Sequence, residues 1–229
     1  MQTALLEKIV LEPAYPATAS VIWLHGLGSS GHDFEDVLPF LQLPDNHRIR
    51  FIFPHAEEMP IGLNGGLWMP AWYDIKDFNI MQRQDEEGIR QSEQNIMSLL
   101  DHELAQGIES QRIILMGFSQ GGAMALHCAT RYPKTLAGAA CLSGYLLLHK
   151  LLSAEMHPNN SDLPIFMAHG LMDPMVPYFQ GQQASNILES VGLNPVFNSY
   201  PMAHMVCMEE FYDLGAWIQQ VLKDDSHSR

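Results

Sequence analysis

The sequence predicts an α/β fold: a mostly parallel central sheet with helices on both faces and no large cap domain. Two observations carry this. Short apolar runs of strand length alternate with segments of helical periodicity along the whole chain. In the middle, Ile113 to Met116 runs into Gly117-Phe118-Ser119-Gln120-Gly121, and a helix-forming segment follows at once. Strand, sharp turn and helix around Gly-x-Ser-x-Gly is the context in which a serine hydroxyl is lifted above a sheet edge. Only small residues fit beside so tight a turn, hence Gly117 and Gly121. The helix start beneath Ser119 aims free N–H groups at any negative charge forming there.

The chain has 229 residues, enough for one sizeable core, and contains no linker-like tract or repeat. A single domain is expected over 1–229, with 223–229 as a frayed polar tail. The formal net charge of −14 argues against nucleic acid and against tight binding to anionic membranes. No apolar run reaches the length of a membrane span, and the first residues lack a signal-peptide pattern. The three cysteines, Cys128, Cys141 and Cys207, show no pairing pattern. A cytoplasmic location fits these features.

Taken in order, Leu5–Leu11 reads as an edge strand ended by Pro13 and Pro16, and Ser20–Leu24 as a strand buried on both faces. Asp33–Leu43 reads as a helix with Phe34, Val37, Leu38 and Leu41 on one face. Arg50–Phe53 is the next strand. Met59–Tyr73 reads as irregular chain that either covers or lines a groove or folds onto the sheet edge for packing alone. A long helix spans about 83–106, with Ile89, Ile96, Leu100 and Leu104 as its buried stripe. Asp85, Glu86 and Glu87 complement its dipole. After the Ser119 helix come a strand at Leu136–Leu142, a strand at Pro164–Gly170 and a helix at Pro177–Val191. Strand Asn194–Tyr200 and helix Val206–Leu222 complete the pattern.

Gly26-Leu27-Gly28-Ser29-Ser30-Gly31 is a literal G-x-G-x-x-G, so a dinucleotide loop competes for this turn. That reading needs an acid at the end of the next strand to hold the ribose. The strand ends instead in Pro54-His55-Ala56, and Asp45 precedes it. The turn is therefore read as supplying a backbone N–H, that of Leu27, to an oxyanion. His25 is read as a structural anchor.

A serine hydroxyl needs a base, and the base needs a carboxylate to fix its tautomer. On this architecture the chain order is serine, acid, histidine. Of the histidines after Ser119, His127 lies on the following helix, His169 precedes any later acid, and His227 is in the tail. His204 alone follows the last strand by a short loop. Between Ser119 and His204 the aspartates are Asp162, before a strand, and Asp173, just after one. Groups at the carboxyl ends of strands gather in one crevice, which selects Asp173. Glu155 and Glu189 are residual alternatives that read as helical and exposed. His204 and Cys207 are closely spaced but lack further ligands, so no metal is expected. The expected chemistry is attack of Ser119 on an ester or thioester carbonyl with His204 as base. The oxyanion rests on the N–H groups of Gln120 and Leu27, and no cofactor is needed.

The chain resembles the acyl-protein thioesterase and small carboxylesterase (phospholipase/carboxylesterase) family of α/β-hydrolases. The segments that carry the likeness are His25–Gly28, Phe53–Ala56, Leu63–Gly66, Met69–Asp74, Gly117–Gly122, Leu142–Tyr145, His169–Asp173 and Tyr200–His204. They run through nearly the whole chain in the family's order, with the bacterial carboxylesterase branch most similar. The resemblance implies a serine hydrolase with Ser119, Asp173 and His204, acting without a cofactor on short to medium acyl esters. Lysophospholipids and long-chain acyl-protein thioesters are the alternative substrates. It also makes Leu63, Trp68 and Tyr145 candidate groove walls. Ser29, Met59 and Ala203 depart from residues common in the family, and the first two fall near the acyl site. A non-catalytic binding protein on the same fold is the rival class. The apolar side chains near 59–72 could serve a homodimer as well as a substrate.

Overall fold

A computed structural model describes residues 5–77 and 83–223. The strands are β1 (Lys8–Leu11), β2 (Ala19–Leu24), β3 (Ile49–Pro54), β4 (Glu58–Ile61), β5 (Leu67–Pro70), β6 (Ile113–Phe118), β7 (Gly138–Leu142), β8 (Ile165–Gly170) and β9 (Val196–Tyr200). The helices are α1 (Glu86–Ala105), α2 (Gln120–Arg131), α3 (Leu152–Glu155), α4 (Tyr178–Ser190) and α5 (Met208–Val221). Seven strands form one sheet in the order β1-β3-β2-β6-β7-β8-β9. β1 runs antiparallel to β3, and every other pair in that sheet is parallel. The mostly parallel sheet is the one expected from the alternation of apolar runs and helices, its order is that of the α/β-hydrolase fold the resemblance implies, and the described residues form no large cap.

The central strands are apolar on both faces because helices cover both. Ile22, Leu24 and Leu115 point into a core shared with α1 and α2. Their neighbours Val21, Trp23, Ile114 and Met116 point into a second core with Phe34, Leu41, Leu214 and Trp217. The period-2 alternation of a strand thus feeds two cores from one run.

Three local readings change. Segment Gly31–Leu41 is a 3₁₀ rather than an α-helix, and Pro39 sits inside it. Proline has no N–H to give to a turn of either kind, and Gln42 ends the segment in the left-handed region, at φ 50°, with its N–H on Pro39 O. Residues 59–73 are not irregular throughout. β4 and β5 pair as an antiparallel hairpin around a 3₁₀ turn at Gly62–Asn64. Short strands and a turn rich in glycine hid the pairing, because Glu58 to Ile61 lacks a clean alternation. On α1 the buried stripe holds Glu103 where Leu104 was expected, with Leu104 half-buried. Glu103 Oε2 accepts from Ser20 Oγ at 2.6 Å and from Arg50 Nη1 at 3.0 Å, which joins α1 to β2 and β3. Of the 223–229 tail, all but Lys223 lies outside the described residues.

Removing Glu103 leaves the buried Ser20 hydroxyl without its acceptor and Arg50 with Glu12 alone. Glu103→Ala is expected to lower unfolding free energy by about 2–3 kcal/mol. Urea titration checks this, and a midpoint equal to the parent's would contradict it.

Candidate active site

Ser119 sits between β6 and α2 at φ 55° and ψ −118°, outside the conformations an L-residue ordinarily adopts. Its neighbours hold it there. Ser119 N–H donates to Leu142 O on β7, and Ser119 O accepts from Ala123 N–H in α2. A Cβ on Gly117 would come within 2.3 Å of the Gly121 backbone, and one on Gly121 within 2.3 Å of Leu24 O. Both positions must be glycine for β2, β6 and α2 to meet this closely.

Asp173 follows β8 and His204 follows β9, so both loops open at the same sheet edge as Ser119. His204 Nε2 lies 2.9 Å from Ser119 Oγ, and His204 Nδ1 lies 2.7 Å from Asp173 Oδ2. With Nδ1–H donating to the carboxylate, Nε2 is free to accept the serine proton. The other carboxylate oxygen accepts the N–H groups of Met175 and Val176, each at 2.9 Å. The Asp173 side chain is fully buried. Burial pushes its pKa up, but the His204 hydrogen bond and the two N–H groups outweigh this and hold it below the usual aspartate value.

Two buried histidines brace the site without touching the serine. His25 Nε2 accepts Ala56 N–H at 3.0 Å, so Nδ1 carries the proton toward Gly26 O. Burial lowers its pKa and keeps it neutral, as an anchor of its loop. His169 Nε2 lies 2.8 Å from Val176 O and ties down the turn that presents Asp173.

The Gln120 side chain is a feature the motif did not disclose. Its Oε1 accepts Trp72 N–H at 2.9 Å, and its Nε2 donates to Tyr73 O at 2.8 Å. Trp72 Nε1 in turn donates to His25 O at 2.8 Å. The segment after the hairpin is thereby locked to both the residue after Ser119 and the loop at Leu27. No local sequence signal marks such a contact, because its partners are 47 and 48 positions apart.

A cavity of about 730 Å³ opens over Ser119. Leu27, Gln120, Leu63, Tyr145 and His204 line it, together with Ile75, Phe118, Val176 and Val206, which sequence reasoning did not single out. The Tyr145 hydroxyl lies 2.5 Å from that of Tyr73, which fixes this wall. Trp68 is not part of the lining. It is 64% exposed near the tip of the hairpin, where β5 begins with two exposed residues. Glu155 and Glu189 stand away from the cavity, and Glu155 is half-buried between Arg90 and Arg131 rather than exposed.

A strained serine between strand and helix, with a histidine and a buried aspartate in series, is the site of a serine hydrolase on the α/β-hydrolase fold. The sequence matches the phospholipase/carboxylesterase family over residues 6–222, and the chain belongs to that family. It is 35% identical to a probable carboxylesterase of Oryza sativa subsp. japonica, covering 96% of this chain and 86% of the relative. Acyl-protein thioesterase 1 of Neurospora crassa is 40% identical over 84% of this chain and 82% of its own. Among solved structures, Zea mays acyl-protein thioesterase 2 superposes with a TM-score of 0.85 at 31% identity, covering 94% of this chain and 99% of that one.

Ionised Asp173 stabilises the folded state, because its pKa there lies below the unfolded value near 3.8. That contribution is complete above the unfolded pKa and is lost as pH falls through the folded one. Asp173→Asn is therefore expected to lower the urea midpoint at pH 7, and the gap to the parent should close toward pH 3. An equal gap at both pH values would contradict the linkage.

Proposed function

We propose that the chain hydrolyses carboxylic esters or thioesters of short to medium acyl chains through an acyl-enzyme on Ser119. The observation that carries this is the hydrogen-bonded series Ser119–His204–Asp173 at the floor of a largely apolar cavity.

Ser119 Oγ attacks the carbonyl carbon as its proton passes to His204 Nε2, and Asp173 stabilises the imidazolium that forms. The carbonyl oxygen becomes an oxyanion between the N–H groups of Leu27 and Gln120. Gln120 opens α2, where the first N–H groups have no partner within the helix. Leu27 belongs to the loop braced by His25 and Trp72. Donors held this firmly stabilise the transition state without reorganising, each by on the order of 10²–10³ in rate. His204 then protonates the departing alcohol or thiol. Water, deprotonated by the same ring, releases the acid and restores the serine.

The acyl chain lies against Leu63, Ile75, Tyr145 and Val176. Such a wall favours longer chains by burial alone, at about 0.8 kcal/mol or roughly fourfold per methylene. Lysophospholipids and long-chain acyl-protein thioesters remain the second reading, since they use the same residues. The three free cysteines are in keeping with a cytoplasmic setting. The exposed Leu67 and Trp68 leave a homodimer open, which sedimentation would decide. Among the described residues, no helix is long and apolar enough to cross a membrane.

Ser119→Ala is expected to remove turnover and fluorophosphonate labelling while leaving the melting curve folded and cooperative. Labelling that persisted would place the nucleophile elsewhere, and a parent protein that took no label would favour a binding protein. Across 4-nitrophenyl esters from acetyl to octanoyl, kcat/KM should climb with each pair of carbons. A flat profile would argue against an apolar acyl wall.

A further inference from the structure

The cavity over Ser119 has a second side, which the acyl chain does not use. The leaving atom must end within reach of His204 Nε2, the proton donor to the departing alcohol or thiol. That ring packs on Phe118 at a centroid distance of 4.9 Å, and Phe118 packs on Phe34 at 6.1 Å. Phe34, Phe118 and Phe211 all line the cavity, so the His204 side is walled by three phenylalanines.

One carboxylate joins this wall. Asp33 directly precedes Phe34 and lines the same cavity. Ser29 Oγ donates to Asp33 Oδ2, which orients the carboxylate. Among the described residues no lysine or arginine lines the cavity, and Asp33 has no ion-pair partner. The nearby His32 is paired with Glu35 instead, at 2.8 Å. An apolar wall beside a carboxylate without an ion-pair partner suits an organic cation, which rests its methyl groups on the wall and meets the full charge. The protein's net charge of −14 adds a long-range field of the same sign.

Resting on the hydrolase reading above, we propose that Asp33 with Phe34, Phe118 and Phe211 forms a leaving-group subsite for a cation. The preferred substrates are then esters or thioesters whose alcohol or thiol carries a positive charge. Asp33 sets specificity and takes no part in proton transfer.

The test compares butyrylthiocholine with its neutral carbon isostere, S-(3,3-dimethylbutyl) thiobutyrate. The acyl group and shape are the same, and only the charge differs. The parent is expected to favour the cation by roughly 5- to 10-fold in kcat/KM at low ionic strength, with the ratio falling as salt is added. Asp33→Asn should bring the ratio close to one. Asp36→Asn removes an equal charge from a position exposed like Asp33 but outside the cavity lining, and should keep the preference. The ratio cancels any general change in turnover or folding. A parent ratio near one, a preference that survives Asp33→Asn, or an equal loss in Asp36→Asn would overturn the subsite while leaving ester hydrolysis intact. Failure to turn over either thioester, with Ser119 unlabelled by fluorophosphonate, would remove the hydrolase reading and the subsite together.

Discussion

The site depends on how closely β2, β6 and α2 approach one another. With no Cβ on Gly117 or Gly121, the start of α2 packs against the backbones of β6 and β2. That contact leaves Ser119 no relaxed conformation. It sits at φ 55°, held by bonds to Leu142 on one side and Ala123 on the other. Such strain persists only where the surroundings over-determine it. Here they consist of central strands buried on both faces, among the most rigid parts of an α/β protein.

The rest of the site is placed relative to this fixed point by loops that are themselves pinned. Neither the Leu27 loop nor the Asp173 turn belongs to a helix or strand. Each is held by a buried histidine, His25 in one and His169 in the other. Gln120 and Trp72 add a cross-link between the start of α2, the chain after the hairpin and the Leu27 loop. A hydrolase of this kind needs its hydrogen-bond donors fixed before charge develops, and these links fix them. Burial makes the arrangement costly to disturb, because each partner released would be left unsatisfied away from water.

The cavity divides according to the chemistry it serves. Its walls on the Leu63 and Tyr145 side offer apolar surface, which recognises chain length without direction. The His204 side adds a charge, and a charge recognises its opposite over several ångströms. On the proposed reading, length and charge are sensed by different residues, Tyr145 and Val176 for one, Asp33 for the other.

Much of this was legible in the sequence, because it is written in local pattern. The apolar runs at Val21–Leu24 and Ile113–Met116 announce strands buried on both faces, and Gly-x-Ser-x-Gly between strand and helix announces the turn. The parallel topology and chain order then single out Asp173 and His204, the pair that meets Ser119 in series. Other features follow no local pattern. The hairpin at 58–70 was hidden because its strands are short and lack a clean alternation, and Trp68, exposed on it, is absent from the cavity lining. Gly31–Leu41 is a 3₁₀ segment where the apolar face alone predicted an α-helix, a choice of turn that side-chain periodicity does not encode. Glu103 took a core position on α1 that the stripe assigned to Leu104, since Ser20 and Arg50 supply its hydrogen bonds. By itself the sequence determined which elements form and in what order they bring their ends to one edge. Tertiary structure alone decided which distant side chains meet there, because those contacts join residues tens of positions apart.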